Sequence, residues 1–143
     1  MLDKRAKWKT QYYQIDGASN FHNKIREIFS TDPFFKVMNC FQEVPVSALV
    51  ESYTNNFDAV DWYIDELNTV IELHGVQHYK MQSFGSKDSY INQVKAFNNI
   101  KYRDNRKKNA LITAGFTYIE ISYKEISKLN SEYIKNKIWN IYD

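Results

Sequence analysis

Hydrophobic residues near the start of the chain recur at the spacing of an amphipathic helix. Ser19 or Asn20 can cap this helix, which is expected to end near Ser30. Its apolar face consists of Phe21, Ile25, Ile28 and Phe29. Residues 1–18 are basic and aromatic without a clear period, so we expect a basic N-terminal arm or a short helix there.

The middle of the chain has the pattern of β-strands. Residues 37–46 are expected to be extended, with Pro45 at an end or an edge, and a short helical piece is expected around 47–53. Residues 57–73 predict a hairpin with strands at 59–64 and 67–73. Its second strand is apolar except for one carboxylate, which is typical of a central strand covered on both faces, and Gly75 ends it.

The last third of the chain predicts helix, strand and helix. Asp88 can cap a long helix to about Ala114, and Gly115 supplies its C-terminal stop. The buried side of this helix is expected to carry Tyr90, Ile91, Val94, Phe97, Ile100, Leu111 and Ile112. Residues 116–122 alternate as a strand, and a final helix over 124–142 has the inner face Ile126, Leu129, Tyr133, Ile134, Ile138 and Ile141. This order predicts an α/β fold in which helices flank a mixed central β-sheet.

Composition indicates one compact domain over residues 1–143. The chain is 43% hydrophobic and 16% aromatic with only four glycines, which excludes disorder and low complexity. A single cysteine, Cys40, cannot form an internal disulfide, and the charged start has no signal-peptide pattern. No apolar run approaches the roughly 18 residues that span a bilayer. We therefore expect an intracellular, cytoplasmic protein that does not insert into membranes.

The net charge of +2 is small, but the basic residues are clustered. One cluster at the N-terminus comprises Lys4, Arg5, Lys7 and Lys9. Another, within eight residues, comprises Lys101, Arg103, Arg106, Lys107 and Lys108. Two interpretations are open: solvated faces of surface elements, or surfaces that contact nucleic-acid phosphates.

Two carboxylates, Asp61 and Glu72, fall on the two strands of the predicted hairpin. If these strands pair, the carboxylates meet at one end of the sheet, where they could bind a hard cation such as Mg²⁺. Glu72 is costly to bury unless it is paired, hydrogen-bonded or metal-bound. The alternative is a carboxylate that reaches solvent or an arginine at a strand end. The single cysteine argues against a structural zinc site, while a histidine-rich catalytic zinc site stays open.

The run I-E-L-H-G-V-Q-H-Y at residues 71–79, with Asp61 eleven residues before its glutamate and R-D-N-R-K-K at 103–108, resembles a known nuclease family. It is similar to the PD-(D/E)XK superfamily, in the branch related to very-short-patch-repair endonucleases and EDxHD homing endonucleases. The resemblance covers roughly residues 57–123. It implies a restriction-endonuclease-like fold and a Mg²⁺-dependent endodeoxyribonuclease, with Mn²⁺ able to substitute, that hydrolyses phosphodiester bonds with activated water.

The resemblance also implies roles for individual residues. Asp61 and Glu72 would bind the metal, with the Leu73 carbonyl as a third ligand. His78, beside Gln77, would activate water or steady the leaving oxygen.

Other positions match the family less closely. His74 stands where the branch often has an acidic residue and the wider superfamily a lysine, so ligand and base are both open. Asp104 matches the acidic position on the long helix, and Lys108 lies one turn beyond it. The glutamate that the family often has on its first helix corresponds to His22 or to Glu27.

DNA is the partner that the resemblance implies, with the arm and the basic helix on its phosphates. Two active sites could meet in a homodimer. The alternative is a nuclease-like module that binds DNA or a protein without cutting, because His74 and His22 replace residues that are usually acidic or basic.

Overall fold

The protein is described by a computed structural model that places residues 7–76 and 90–139. The main elements are β1 (Lys9–Thr10), α1 (Asn20–Thr31), β2 (Cys40–Pro45), α2 (Val46–Leu49), β3 (Ala59–Ile64), β4 (Thr69–His74), α3 (Tyr90–Thr113), β5 (Thr117–Ser122) and α4 (Ser131–Trp139). The strands form one sheet in the order β1-β2-β3-β4-β5. Neighbours are antiparallel except for the parallel pair β4 and β5. The expected α/β class, a mixed sheet flanked by helices, is confirmed.

The sheet separates two hydrophobic cores. On one face the sheet side chains pack against α1 and α4; this core includes Ile25, Phe29, Trp62, Ile71, Ile121 and Ile134. On the other face they pack against α2 and the second half of α3; this core includes Phe41, Val44, Val60, Tyr63, Val70 and Leu111. β4 has a neighbouring strand on each side and core on both faces, as its apolar sequence predicts.

The hairpin of β3 and β4 closes through a short 3-10 helix, Asp65–Leu67. β3 has the predicted bounds, whereas β4 begins two residues later than expected because Asn68 adopts a left-handed conformation with φ of +49°. β4 ends at His74, immediately before Gly75.

Helix α1 forms as its pattern predicts. The Ser19 side chain accepts a hydrogen bond from the backbone N–H of His22, which caps the helix N-terminus. Phe21, Ile25 and Phe29 are buried against the sheet.

Residues 7–18 differ from the expected basic arm or short helix, because part of this segment forms a strand of the sheet. Lys9 and Thr10 pair with β2 as an edge strand, and Gln11 is buried. The Gln11 amide donates to the carbonyls of Phe29, Phe35 and Met38, which fastens this segment to the core. Of the expected extended segment 37–46, only β2 is a strand. The helical piece expected at 47–53 is the single turn α2. Lys4 and Arg5 lie outside the described residues.

Helix α3 buries less than its apolar pattern predicts. Tyr90, Ile91 and Ile112 are exposed, and the buried residues of the helix are Lys107 and Leu111. Its 24 residues extend about 36 Å, whereas a six-residue strand extends about 20 Å. Only part of the helix can therefore lie over the sheet. The expected cap Asp88 is outside the described residues.

The single C-terminal helix expected over 124–142 is wrong. A 3-10 helix, Tyr123–Lys128, comes first, with a capping box between Ser122 and Glu125. α4 then begins anew at Ser131, where the Asn130 side chain accepts from the backbone N–H of Tyr133. Leu129, Ile134 and Ile138 are buried as expected; Ile141 falls outside the described part of the chain.

Over residues 7–76 and 90–139, no helix combines the length and the apolar character that crossing a bilayer requires.

Candidate active site

In two neighbouring strands, the regular alternation of side chains between the two faces of the sheet is interrupted at the same level. In β2 the Gln42 side chain lies on the α1 side, whereas Val44 belongs to the opposite core. In β3 the same reversal separates Trp62 from Val60. Side chains two residues apart share a face in a regular strand, so both strands are irregular at the residue between them.

The residues at these irregular positions are Glu43 and Asp61. The register pairs Gln42 with Trp62 and Val44 with Val60, which sets Glu43 opposite Asp61. Glu43 has φ of +51°, a conformation that costs a residue with a Cβ on the order of 1 kcal/mol. The sequence gives no signal for this irregularity, and Glu43 is a site residue that sequence analysis missed.

Asp61 and Glu72 are brought together, as predicted. Backbone pairing between β3 and β4 runs from Ile64–Thr69 to Trp62–Ile71. At the next position, carboxylate side chains accept the backbone hydrogen bonds. The Asp61 N–H donates to Glu72 Oε1 at 3.0 Å, and the Leu73 N–H donates to Asp61 Oδ2 at 2.7 Å. Each carboxylate is thus fixed by the backbone of the other strand.

Lys107 of α3 completes this group. Its Nζ lies 2.8 Å from Glu72 Oε2 and donates to the Ala59 carbonyl at 3.1 Å, and the residue is 7% exposed. Sequence analysis assigned Lys107 to a phosphate-contacting surface, although it lies four residues before Leu111 and therefore on the buried face of α3. That spacing is the signal that could have placed it here.

Burial makes ionisation of both carboxylates less favourable. It raises the pKa of Asp61 despite the Leu73 hydrogen bond and the nearby Lys107 charge. Burial, together with the charge of Asp61, raises the pKa of Glu72 to about 7 despite Lys107. When both are ionised, one ammonium faces two carboxylates, so the group has an unbalanced negative charge.

A cavity of about 670 Å³ lies over these residues. Asp61, Glu72 and Lys107 belong to its lining, together with Glu43, Leu73 and His22. Tyr123 and Ile126 from the segment after β5 also line it. The cavity is large enough to admit a phosphodiester group to the carboxylates.

His22 is the first-helix candidate that reaches the cavity. Gln42 Nε2 donates to the carbonyls of Thr10 and Tyr13, both at 2.7 Å, which leaves Gln42 Oε1 as an acceptor. His22 Nε2, 2.7 Å from that oxygen, is therefore the donor. The ring also stacks on Trp62. The other candidate, Glu27, lines a separate groove beside Asp32.

His74 and Asp104 lie at the helix-facing side of Glu72. His74 follows Glu72 by two residues and shares its face, as predicted, and Asp104 approaches from α3. Each of the three offers a ligand atom within 4.8 Å of the others. Gln77 and His78 lie outside the described residues, so the role expected for His78 stays a prediction.

The remaining basic residues of α3 differ in their partners. Arg106 is 2.6 Å from Asp58, and Tyr53 also donates a hydrogen bond to that carboxylate. Lys101 lies over the ring of Phe97.

Arg103 and Lys108 have the more exposed side chains, at 56% and 44%. Arg103 is 3.9 Å from Asp58, and Lys108 is 3.7 Å from Glu120. Both side chains are more exposed than those of Arg106, at 37%, and Lys107, at 9%.

Searches of protein-family models, curated proteins and solved structures give no significant match to the chain.

Proposed function

We propose that the protein is a Mg²⁺-dependent endodeoxyribonuclease of the PD-(D/E)XK type that hydrolyses phosphodiester bonds. The observation that carries the proposal is the meeting of Asp61, Glu72 and Lys107 in the lining of one open cavity. Two carboxylates and an ammonium are the groups needed to hold a hard cation and to stabilise charge at a phosphate.

The donor set fits Mg²⁺, with Mn²⁺ as a substitute. Asp61 and Glu72 offer carboxylate oxygens, and the Leu73 carbonyl can supply a third. When both carboxylates are ionised, their negative charge exceeds the positive charge of Lys107 and favours a cation. A cation held by these residues would polarise the phosphate and lower the pKa of the attacking water.

The residues of the chain supply position and charge. Lys107 uses two of its three N–H donors on Glu72 and Ala59, so the third is left for water or a phosphate oxygen. The backbone bonds to Asp61 and Glu72 hold both carboxylates in place before substrate arrives. Such preorganisation lowers the cost of reaching the transition state.

DNA is the proposed partner, and Arg103 and Lys108 are its first phosphate contacts on α3. Both lie on the helix that positions Lys107, so a phosphate backbone along α3 would pass beside the cavity. Two chains acting as a homodimer would cut both strands; a single chain would nick.

The test is cleavage of supercoiled plasmid with and without Mg²⁺ or Mn²⁺. Asp61→Asn should abolish cleavage, and Lys107→Gln should slow it by roughly 10²-fold or more, as expected for loss of a charge-stabilising donor. Lys128→Gln, at an exposed lysine, is the matched control and should cut normally.

Cleavage that survives chelation of metal, or full activity of Asp61→Asn, would overturn the proposal. DNA binding without cleavage in either metal would instead favour the module that binds DNA and does not cut.

A further inference from the structure

A second group of ligand-type side chains lies on the α3 side of β4. Glu72 and His74 alternate onto this face, and both are buried. Asp104 faces them from α3, three residues before Lys107 and so on the same side of the helix. The cavity that Asp61 lines is also lined by Glu72, but His74 and Asp104 are not part of its lining.

The spacing of these atoms suits a single ion. The three ligand atoms lie within 4.8 Å of one another. Ligands about 2.1 Å from a metal lie roughly 3 to 4.2 Å apart, depending on their angle at the ion. Small side-chain rotations would therefore bring all three into one coordination sphere.

The mixture of atoms selects the kind of ion. Mg²⁺ and Ca²⁺ prefer oxygen alone, whereas imidazole nitrogen suits Mn²⁺, Fe²⁺, Co²⁺ and Zn²⁺. We propose that Glu72, His74 and Asp104 form a binding site for a divalent transition-metal ion, separate from the Asp61 side of Glu72. This site does not depend on the proposed nuclease activity.

The surroundings support the imidazole as a ligand. His74 Nδ1 lies 3.9 Å from Glu120 Oε2, and Glu120 is in turn 3.7 Å from Lys108. At this distance the contact is electrostatic, and the negative charge of a carboxylate beside one ring nitrogen favours a cation at the other. Glu120 lies beside Glu72 in the parallel pair β4 and β5, so the sheet fixes its position.

Lys107 does not exclude the ion. It bonds Glu72 Oε2, while Asp61 N–H bonds Oε1, and an ionised carboxylate has about four acceptor positions. Two acceptor positions of Glu72 are thus left for a metal. Three protein ligands would leave other coordination positions for water.

The experiment is a Co²⁺ titration of the purified full chain, followed by the visible absorption of the bound ion and by calorimetry. The wild type should bind Co²⁺ at this site, and about tenfold excess Mg²⁺ should not displace it. His74→Gln and Asp104→Asn should each weaken binding by roughly 100-fold, and Glu120→Gln by roughly 10-fold. Asp104 is only half-buried, so Asp104→Asn tests the site if His74→Gln does not fold.

Two controls separate this site from the proposed active site. Glu132→Gln, at an exposed carboxylate, should bind Co²⁺ as the wild type does. Asp61→Asn should keep Co²⁺ binding while losing DNA cleavage.

Three outcomes would overturn the inference. They are unchanged Co²⁺ affinity in both His74→Gln and Asp104→Asn, displacement of Co²⁺ by about tenfold excess Mg²⁺, or loss of Co²⁺ binding in Asp61→Asn. Failure of DNA cleavage with intact Co²⁺ binding would count against the nuclease alone.

Discussion

Lys107 pairs with buried groups, and leaving these groups without a partner would cost free energy. Its ammonium is buried between Glu72 and the Ala59 carbonyl, and the Glu72 carboxylate already faces Asp61. Removing one partner of a buried ion pair leaves the other charge in a poorly solvated position. The lysine of the candidate active site is therefore also a structural residue.

Lys107→Met should lower the free energy of unfolding by about 3 kcal/mol, the cost typical of breaking a buried ion pair from one side. Glu72→Gln/Lys107→Met should recover much of this loss, because the side chain that loses its ion-pair partner in Lys107→Met is then uncharged. Urea unfolding in the presence of a metal chelator measures both. Additive losses in the double variant would contradict the pairing.

The positions of the site residues on the hairpin could be predicted from sequence, but the residues that join them from β2 and α3 could not. The strand pattern placed Asp61 beside Glu72, and the alternation placed His74 on the face of Glu72. Lys107 was assigned, with its basic neighbours in sequence, to a surface that contacts DNA phosphates, whereas the structure buries it against Glu72. Glu43 was missed because a left-handed residue within a strand depends on its tertiary surroundings.

At the scale of elements, α3 has two parts with different surroundings. Its second half packs on β5 and carries Lys107 and Leu111 inward, while the side chains of Arg103 and Lys108 are about half exposed. At its start, Tyr90 and Ile91 are exposed, at 68% and 64%.

Arg103→Gln/Lys108→Gln should weaken DNA binding and lower the log-log slope of affinity against salt by about 1.8, the value for two lost phosphate contacts. Fluorescence anisotropy over a salt series, in Ca²⁺ or chelator, gives the slope without cleavage. Lys36→Gln/Lys135→Gln removes two charges near Asp32, away from the cavity, and is the matched control. An equal slope in wild type and the Arg103/Lys108 variant would favour solvated surface charges.

Most helices and strands could be predicted, but their ends depend on details that periodicity does not contain. α1 and β3 follow their patterns closely. The C-terminal segment has a continuous helical pattern, yet Asn130 starts a new helix because its side chain satisfies a free backbone N–H. For α3, the apolar pattern placed Tyr90, Ile91 and Ile112 on the buried side, whereas the structure leaves all three exposed.

At the scale of the whole molecule, ion pairs tie separate segments together near neutral pH. Asp58, before β3, binds Arg106 of α3. Although burial opposes its ionisation, hydrogen bonds from Tyr53 and Arg106 hold the pKa of Asp58 below its usual value. A carboxylate with a lowered folded-state pKa stabilises the fold above its unfolded pKa, and this contribution is lost as pH falls through the folded pKa.

Asp58→Asn should therefore be less stable than the wild type at about pH 6 and should lose less stability on acidification to about pH 3. Thermal unfolding across this range gives the two curves, with Glu51→Gln, at an exposed carboxylate in the preceding turn, as the control. Parallel curves for Asp58→Asn and wild type would show that the pair does not contribute to acid sensitivity.

Two backbone amides of the sheet donate to carboxylate oxygens in place of the carbonyls of a neighbouring strand, so each amide can report on the charge of its carboxylate. The amide protons of Asp61 and Leu73 point at Glu72 and Asp61, so their chemical shifts follow the charge on those oxygens. A cation that binds the carboxylates draws electron density from both acceptors and moves these two amide resonances together. Occupancy of the site can thus be observed through the backbone of the sheet, in the intact chain and without substrate.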